Sequence, residues 1–180
     1  MRRAPGPIAS CAAAAVWATV AWAAEPVHVL QLGERSVSIP WSATWQERTA
    51  TAPVDPRTAA FGTSDKLKLE VLLTAGPPGA GEPSDQAMES MVADMVGELS
   101  KQSVEKELPV QRISTSSAHG YYVCATDRAP KPDEYKYVCQ GMLSSGGAAF
   151  MFMVLYNENG KTEAEKAVTA LKSLQLSSQS

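Results

Sequence analysis

The segment Ala148–Tyr156 constrains the fold of this chain more than any other. Its sequence, AAFMFMVLY, contains no charged residue. Nine apolar residues are too few to cross a bilayer as a helix, and they suit one β-strand that is covered on both faces. Gly146-Gly147 precedes this segment, and two glycines between strand-forming runs predict a tight hairpin. We therefore expect a central, buried strand with a packed layer on each side.

Periodic patterns elsewhere predict a mixed α+β domain. Alternating or strand-forming runs predict strands near residues 27–32, 36–41, 66–73, 110–114, 121–126 and 135–143. Ser84 is a suitable N-cap for a long helix, and Thr162 with Glu165 forms a capping-box pattern before a second one. The apolar face of that second helix is Ala164, Ala167, Val168, Leu171 and Leu174. We expect an α/β/α sandwich with a central antiparallel sheet and one helix on each face.

Two segments leave their roles open. The long helix carries one apolar stripe, which includes Met88, Met91 and Met95. We expect this stripe to pack on the sheet, and an adaptable binding groove is the alternative.

Trp45 is expected to close one end of the core. Residues 46–65 are rich in Thr, Ala and Pro without a sustained period, which predicts a long loop that is either functional or poorly ordered.

The first 23 residues have the pattern of a secretory signal peptide. Arg2 and Arg3 give a positive start, residues 9–21 are uncharged, and Ala21-Trp22-Ala23 places small residues where signal peptidase reads them. A membrane anchor is the alternative, but the apolar run is short for a span. We expect one domain over residues 24–180, with no transmembrane segment after cleavage and a periplasmic location. A lipoprotein-like box ends at Cys11, but the apolar segment follows this box, so lipid attachment is not expected.

The charge of the mature chain excludes some classes of partner. Loss of Arg2 and Arg3 leaves 14 basic against 19 acidic residues, a net charge of −5. A mildly acidic chain without a cluster of Lys and Arg argues against nucleic acid and against an anionic membrane surface.

Cys124 and Cys139 are the two cysteines of the mature chain. Each lies in a strand-like run, and a Pro-rich segment at 127–134 separates them. A hairpin about that segment can place them opposite each other, which predicts a structural disulfide in an oxidising compartment. Such a disulfide contributes about 3 kcal/mol for a short closed loop. A redox pair or metal thiolates are the alternatives, but the chain has no C-x-x-C and only two histidines.

No motif in the chain predicts catalysis, and we expect no catalytic, cofactor or metal site. His28 and His119 are far apart in sequence, and the acidic pair Asp133-Glu134 is typical of a solvated loop. Ser117 and His119 are close together in one connection, so a small hydrolase that uses this pair is an alternative. The G-x-S-x-G pattern of a serine nucleophile is absent, however.

Four tyrosines flank the predicted disulfide hairpin: Tyr121, Tyr122, Tyr135 and Tyr137. Strand alternation must place some of them outward, beside a charged, Pro-rich loop. Exposed tyrosines of this kind form a candidate patch for binding another protein. The alternative is that tyrosines simply favour strands.

The order of elements resembles the PsbP-like fold, which includes the bacterial DcrB-like periplasmic proteins. The matching residues are Ser36-Val37-Ser38-Ile39-Pro40 leading to Trp45, and the apolar strand 150–156 followed by an amphipathic helix that ends near residues 171–176. Without a lipid on Cys11, the chain departs from the anchored envelope members of this fold. The members are mostly non-catalytic: photosystem accessory subunits, envelope lipoproteins and small chaperones of secreted toxins.

This resemblance implies an accessory or binding protein, with no catalytic residues to transfer. We expect a secreted, non-enzymatic protein that acts on another envelope protein through its sheet edge and tyrosine-bearing hairpin. An inhibitor, immunity protein or chaperone of a secreted toxin is a more specific version.

Overall fold

A computed structural model describes residues 26–48, 55–66 and 68–177. The predicted signal peptide, its cleavage site and Cys11 lie outside these residues. The described part of the chain is mixed α+β, as expected, and consists mainly of antiparallel sheet with two helices.

Two antiparallel sheets contain all the strands of the described residues. The smaller sheet has the order β1-β2-β10, with β1 Val27–Leu32, β2 Arg35–Pro40 and β10 Gln175–Leu176. The larger sheet has the order β3-β4-β5-β9-β8-β7-β6. Its strands are β3 Trp45–Arg48, β4 Thr58–Thr63, β5 Leu69–Ala75, β6 Gln111–Ser114, β7 His119–Thr126, β8 Tyr137–Ser145 and β9 Ala148–Tyr156. The helices are α1 Asp85–Leu99 and α2 Lys161–Lys172, and a 3₁₀ turn, Glu158–Gly160, precedes α2.

The β8–β9 hairpin forms where the two glycines predict it. Gly146 and Gly147 have φ angles of 58° and 78°, so both occupy the left-handed region that a two-residue hairpin turn requires. β9 then pairs with β8 on one side and β5 on the other, which makes it the middle strand of the larger sheet. The prediction of a central strand is confirmed.

The expectation that β9 is covered on both faces is correct for the face that carries Phe150, Phe152 and Val154. It is wrong for the face that carries Met151. Phe150, Phe152 and Val154 are buried, whereas Met151 is 49% exposed. The physical reason is the position of α1, which packs over β7 and β8 rather than over β9.

The long loop expected at 46–65 is also wrong for the residues that the structure describes there. β3 and β4 occupy this region and pair with each other, and β4 pairs with β5. β4 shows no alternation because Ala59, Ala60 and Phe61 are all buried. Pairing between distant segments therefore makes strands where the local sequence carries no period. Residues 49–54 lie outside the described residues.

The two helix starts differ in how well the sequence predicts them. The Ser84 hydroxyl accepts a hydrogen bond from the Ala87 amide at 3.2 Å, which confirms the first cap. The capping box at Thr162 is wrong, because the N-cap of α2 is Gly160, two residues earlier, and no side chain caps the helix. Gly160 lies so close to the Lys68 carbonyl that a Cβ atom would be 1.8 Å from that oxygen, so the backbone contact sets the start of α2.

Buried apolar residues form two clusters, which we name after the helix in each. The α1 cluster contains Met88, Val92, Leu108, Tyr121, Val123, Ala125 and Met142. The α2 cluster contains Ala164, Ala167, Ala170 and Leu171 of α2, the strand residues Phe61, Phe150 and Phe152, and residues of β1 and β2. Trp45 is buried in the α2 cluster, as expected for an aromatic plug. On β7, Tyr121 and Val123 belong to the α1 cluster while Tyr122 belongs to the α2 cluster, as strand alternation requires.

Candidate functional site

The predicted disulfide between Cys124 and Cys139 is present. The two cysteines are directly opposed partners on β7 and β8, with Cα atoms 4.0 Å apart. This covalent link joins two strands whose residues contribute to both hydrophobic clusters. A disulfide of this kind fits an extracytoplasmic location.

Tyr121 and Tyr122 are not available at the surface. Each is 7% exposed, so these two are not among the tyrosines that alternation was expected to place outward. The Tyr121 hydroxyl donates to Asp85 Oδ2 at 2.9 Å, and the Tyr122 hydroxyl donates to Gln111 Oε1 at 2.5 Å. They are buried because α1 covers one side of β7 and the α2 cluster covers the other.

Tyr135 and Tyr137 are half-buried, and their hydroxyls also bond within the chain. Tyr135 donates to the Lys66 carbonyl and to Glu70 Oε2, the second at 3.2 Å. Burial, together with the neighbouring Glu70 carboxylate, raises the pKa of Tyr135. Tyr137 stacks on Tyr156 with ring centroids 5.0 Å apart and donates to Glu158. The hydroxyls of the four predicted patch tyrosines therefore form hydrogen bonds within the chain, and two of the four side chains are buried.

Ser117 and His119 have separate partners. The Ser117 hydroxyl bonds to the Lys172 carbonyl at the end of α2, at 3.4 Å. His119 lies on β7, and its Nε2 is 3.3 Å from Glu82 Oε1, which also accepts a hydrogen bond from Ser144. The structure thus directs these two side chains to different neighbours rather than to each other.

A buried carboxylate joins α2 to the segment between β2 and β3. Glu163 Oε2 accepts hydrogen bonds from Trp45 Nε1 and Thr44 Oγ1, both at 2.9 Å. Glu163 Oε1 accepts one from Lys166 at 3.0 Å. Burial opposes ionisation, but these hydrogen bonds outweigh it and lower the pKa of Glu163. Because all its partners are internal, we assign Glu163 a structural role.

The methionines of the chain concentrate in one region. Apart from Met1, the other six of the seven methionines lie on α1, β8 and β9: Met88, Met91, Met95, Met142, Met151 and Met153. Met88 is fully buried in the α1 cluster. We name the remaining five, Met91, Met95, Met142, Met151 and Met153, the methionine patch.

Sheet register and helix geometry bring the methionine patch together. Met142 and Met151 are opposed partners on β8 and β9, and Met153 is two residues further along β9 on the same side. Asp85 binds Arg112 and Tyr121, which places that flank of α1 toward β6 and β7. Met91 lies six residues on, about 1.7 turns, and so lies on a different flank of α1 from Asp85.

The methionine patch is partly open to solvent. Met91 and Met151 are each 49% exposed, Met95 and Met153 are half-buried, and Met142 is 6% exposed. Leu72 of β5 pairs with Met153 and extends the apolar area toward Glu70. Glu70 contacts Arg48, whose Nη2 donates to the Thr63 carbonyl at 2.6 Å, so ordered polar groups border this end.

The helix prediction located part of this surface. The stripe on α1 packs on the sheet, as expected, except at Met91, which is exposed. The strand methionines Met142, Met151 and Met153 were not predicted as part of a site. Their signal is the Met-x-Met alternation inside β9, which places both side chains on one side of the strand.

Other kinds of site find less support in the described residues. No group of three or more His, Cys, Asp or Glu side chains among them is arranged to hold a metal ion. No described helix has the length and apolar character that a membrane crossing needs.

Compared with models of known protein families and with curated proteins, the chain matches none.

Proposed function

We propose that this protein is a non-enzymatic binding protein whose methionine patch receives an apolar segment of another extracytoplasmic protein. The observation that carries the proposal is the exposure of Met91 and Met151, each 49%, beside the buried Met142. Exposed apolar areas next to a packed core are typical of interaction sites. Methionine side chains are flexible and polarisable, so they adapt to partners of different shapes.

This proposal moves the binding surface away from the tyrosine hairpin. Tyr121, Tyr122, Tyr135 and Tyr137 all use their hydroxyls inside the chain, which leaves them less to offer a partner. The separate partners of Ser117 and His119 support a non-enzymatic function. A partner that binds through apolar contacts also agrees with the absence of a basic cluster in the acidic mature chain.

We further propose a PsbP-like α/β/α arrangement, with one helix on each face of the larger sheet. The division of Tyr121 and Tyr122 between the α1 and α2 clusters supports it. The periplasm is the proposed compartment, and the disulfide together with the signal-peptide pattern supports that location. Within this class, a chaperone or antagonist of a secreted toxin is the more specific version.

Affinity capture from the protein's own envelope extract tests the proposal. The mature chain, from residue 24 onward, is compared with a Met151→Glu variant and a Val29→Glu variant. Val29 is a matched control because it is 55% exposed in the middle of β1, in the other sheet. We expect one stoichiometric protein partner that the wild-type and Val29→Glu chains retain and the Met151→Glu chain loses, because a charge in an apolar contact cannot be desolvated cheaply.

Three results would contradict the proposal. Retention of the same partner by the Met151→Glu chain would place the binding site elsewhere. An empty capture with all three chains, each shown to be folded by circular dichroism, would remove the protein-binding function. Loss of the partner by a Tyr135→Ala chain, with binding retained by the Met151→Glu chain, would place the binding site on the tyrosine hairpin.

A further inference from the structure

We propose that the methionine patch also binds a soft monovalent cation, Cu(I) or its analogue Ag(I), through thioether sulfur atoms. This inference does not depend on the proposed protein partner, although both use the same surface. It rests on the number of thioethers on neighbouring strands and on α1, their access to solvent, and the engagement of the described cysteines and histidines with other partners.

The backbone brings several sulfur atoms within reach of one ion. Met142 and Met151 are opposed across β8 and β9, which sets their Cβ atoms about 5 Å apart. Met153 follows Met151 on the same side at a spacing of about 7 Å. Each methionine has three rotatable bonds, so sulfur atoms that start at these separations can converge on a single ion.

Helix α1 carries two further thioethers beside the sheet. Met91 and Met95 are four residues apart on α1 and therefore neighbours on its surface. Met95 packs against the α1 cluster, to which the strand residue Met142 also belongs. The half-exposed Met91 and Met151 provide an entry path for an ion from solvent.

The donor set selects the class of ion. Thioether sulfur is a soft, uncharged donor that favours Cu(I), whereas Ca²⁺ and Mg²⁺ require oxygen and Zn²⁺ prefers thiolate or imidazole. Both described cysteines are held in the disulfide, so thiolate is not the competing ligand. His28 contacts Glu47 and His119 contacts Glu82, and neither residue belongs to the methionine patch.

The electrostatic surroundings favour a cation of low charge. Asp94 and Glu98 lie on exposed turns of α1, three residues after Met91 and Met95, and Glu98 is paired with Lys101 at 2.6 Å. Thioether ligands are uncharged, so the complex keeps the whole charge of the bound ion. Because the cost of desolvation rises with charge, such a site favours a monovalent ion over a divalent one.

Thioether ligands predict an unusual dependence on pH. A thioether does not bind a proton between pH 5 and 8, whereas a histidine ligand with a pKa near about 6.5 must lose a proton to bind metal. Cu(I) affinity at the methionine patch should therefore stay within about twofold from pH 7.5 to pH 5. A site built on histidine ligands would weaken by about tenfold or more over that range.

The test titrates the mature, disulfide-bonded chain with Cu(I), kept reduced by ascorbate, in competition with the chromogenic chelator bicinchoninate. A parallel titration uses Ag(I) without a reductant and follows the methyl signals of ¹³C-methyl-methionine by NMR. The test variant is Met151→Leu/Met153→Leu, and the matched control is Met88→Leu, because Met88 is fully buried outside the patch. Leucine keeps the apolar volume and removes only the sulfur atom.

We expect one ion per chain, an affinity at least tenfold lower in the double variant, an unchanged affinity in Met88→Leu, and Ag(I)-dependent shifts of patch methyl groups. The inference fails if wild-type protein competes no better than the double variant, if His28→Ala or His119→Ala abolishes binding, or if affinity falls at pH 5. Partner capture should survive Met151→Leu/Met153→Leu. Failure of the ion site and failure of the protein-binding function are therefore distinguishable.

Discussion

The α1 and α2 clusters both include residues of β7 and β8, but they contain different kinds of side chain. The α2 cluster contains Phe61, Phe150 and Phe152, together with Trp45, whose indole donates to the buried Glu163. The α1 cluster contains Met88 and Met142 with one aromatic residue, Tyr121, and it continues into the half-exposed methionines. Aromatic rings and a directional hydrogen bond hold one arrangement, whereas methionine accepts several. The two clusters of one protein thus differ in composition: one is built on aromatic rings around a bonded carboxylate, and the other borders exposed methionines.

The largest expected effect on stability is a difference between substitutions at two adjacent residues of β9, one on each face of the strand. Phe150→Ala should lower the free energy of unfolding by about 3–5 kcal/mol, because it removes a fully buried ring and leaves a cavity. Met151→Ala should lower it by less than about 1 kcal/mol, because half of that side chain is already in water. Urea denaturation of both variants measures the difference. Equal losses would mean that the methionine side is as tightly packed as the aromatic side.

Removal of the disulfide should affect both clusters together. Cys124→Ala/Cys139→Ala frees a loop with a sequence separation of 15, which should cost about 3 kcal/mol. Thermal unfolding of the oxidised wild type and of the variant gives the value, with reduced wild type as a second comparison. A variant as stable as the oxidised protein would show that the sheets hold this hairpin without the covalent link.

The contribution of the buried Glu163 to the stability of the α2 cluster can be tested by comparing two glutamates on α2. Glu163→Gln should cost about 1–3 kcal/mol, because an amide cannot accept the bonds from Trp45, Thr44 and Lys166 as a carboxylate does. Glu165→Gln is the control, since Glu165 is exposed, and it should change stability by less than about 0.5 kcal/mol. Similar values for the two variants would argue that Glu163 does not hold α2 to the core.

The smallest expected effect is a pH dependence beyond the end of α1. Burial opposes ionisation of Glu105, but hydrogen bonds from Ser103 and Thr126 outweigh it and lower the pKa of Glu105 from 4.5 to about 2. The folded chain therefore keeps the carboxylate where the unfolded chain binds a proton. This contribution to stability is complete above pH 4.5 and is lost as the pH falls toward 2.

Denaturation between pH 5 and pH 2.5 checks this effect. Glu105→Gln should flatten part of the acid loss of stability, while Glu107→Gln, at an exposed position, should follow the wild-type curve. Parallel curves for all three chains would mean that the Glu105 contacts with Ser103 and Thr126 do not persist in solution.

Local sequence patterns predicted the elements that depend on neighbours in the chain. The Gly146-Gly147 turn, the Ser84 cap, the strands β5 to β9 and the opposed Cys124 and Cys139 all follow from alternation, turn residues or short spacing. Two of the five patch methionines, Met91 and Met95, were singled out from the sequence, with packing on the sheet as the expectation and a binding groove as the alternative. The errors have one cause in common. β4, the start of α2 and the buried tyrosines depend on segments that are remote in sequence.

Local patterns in the chain are therefore enough to predict the α+β class, the opposed cysteines and the apolar character of β9. Which side chains reach solvent depends instead on tertiary packing. Because α1 lies over β7 and β8, it buries Tyr121 and leaves Met151 of β9 uncovered, although the strand patterns of the two are alike. The position of a helix over a sheet is the sum of many contacts between distant residues, and no local period encodes it.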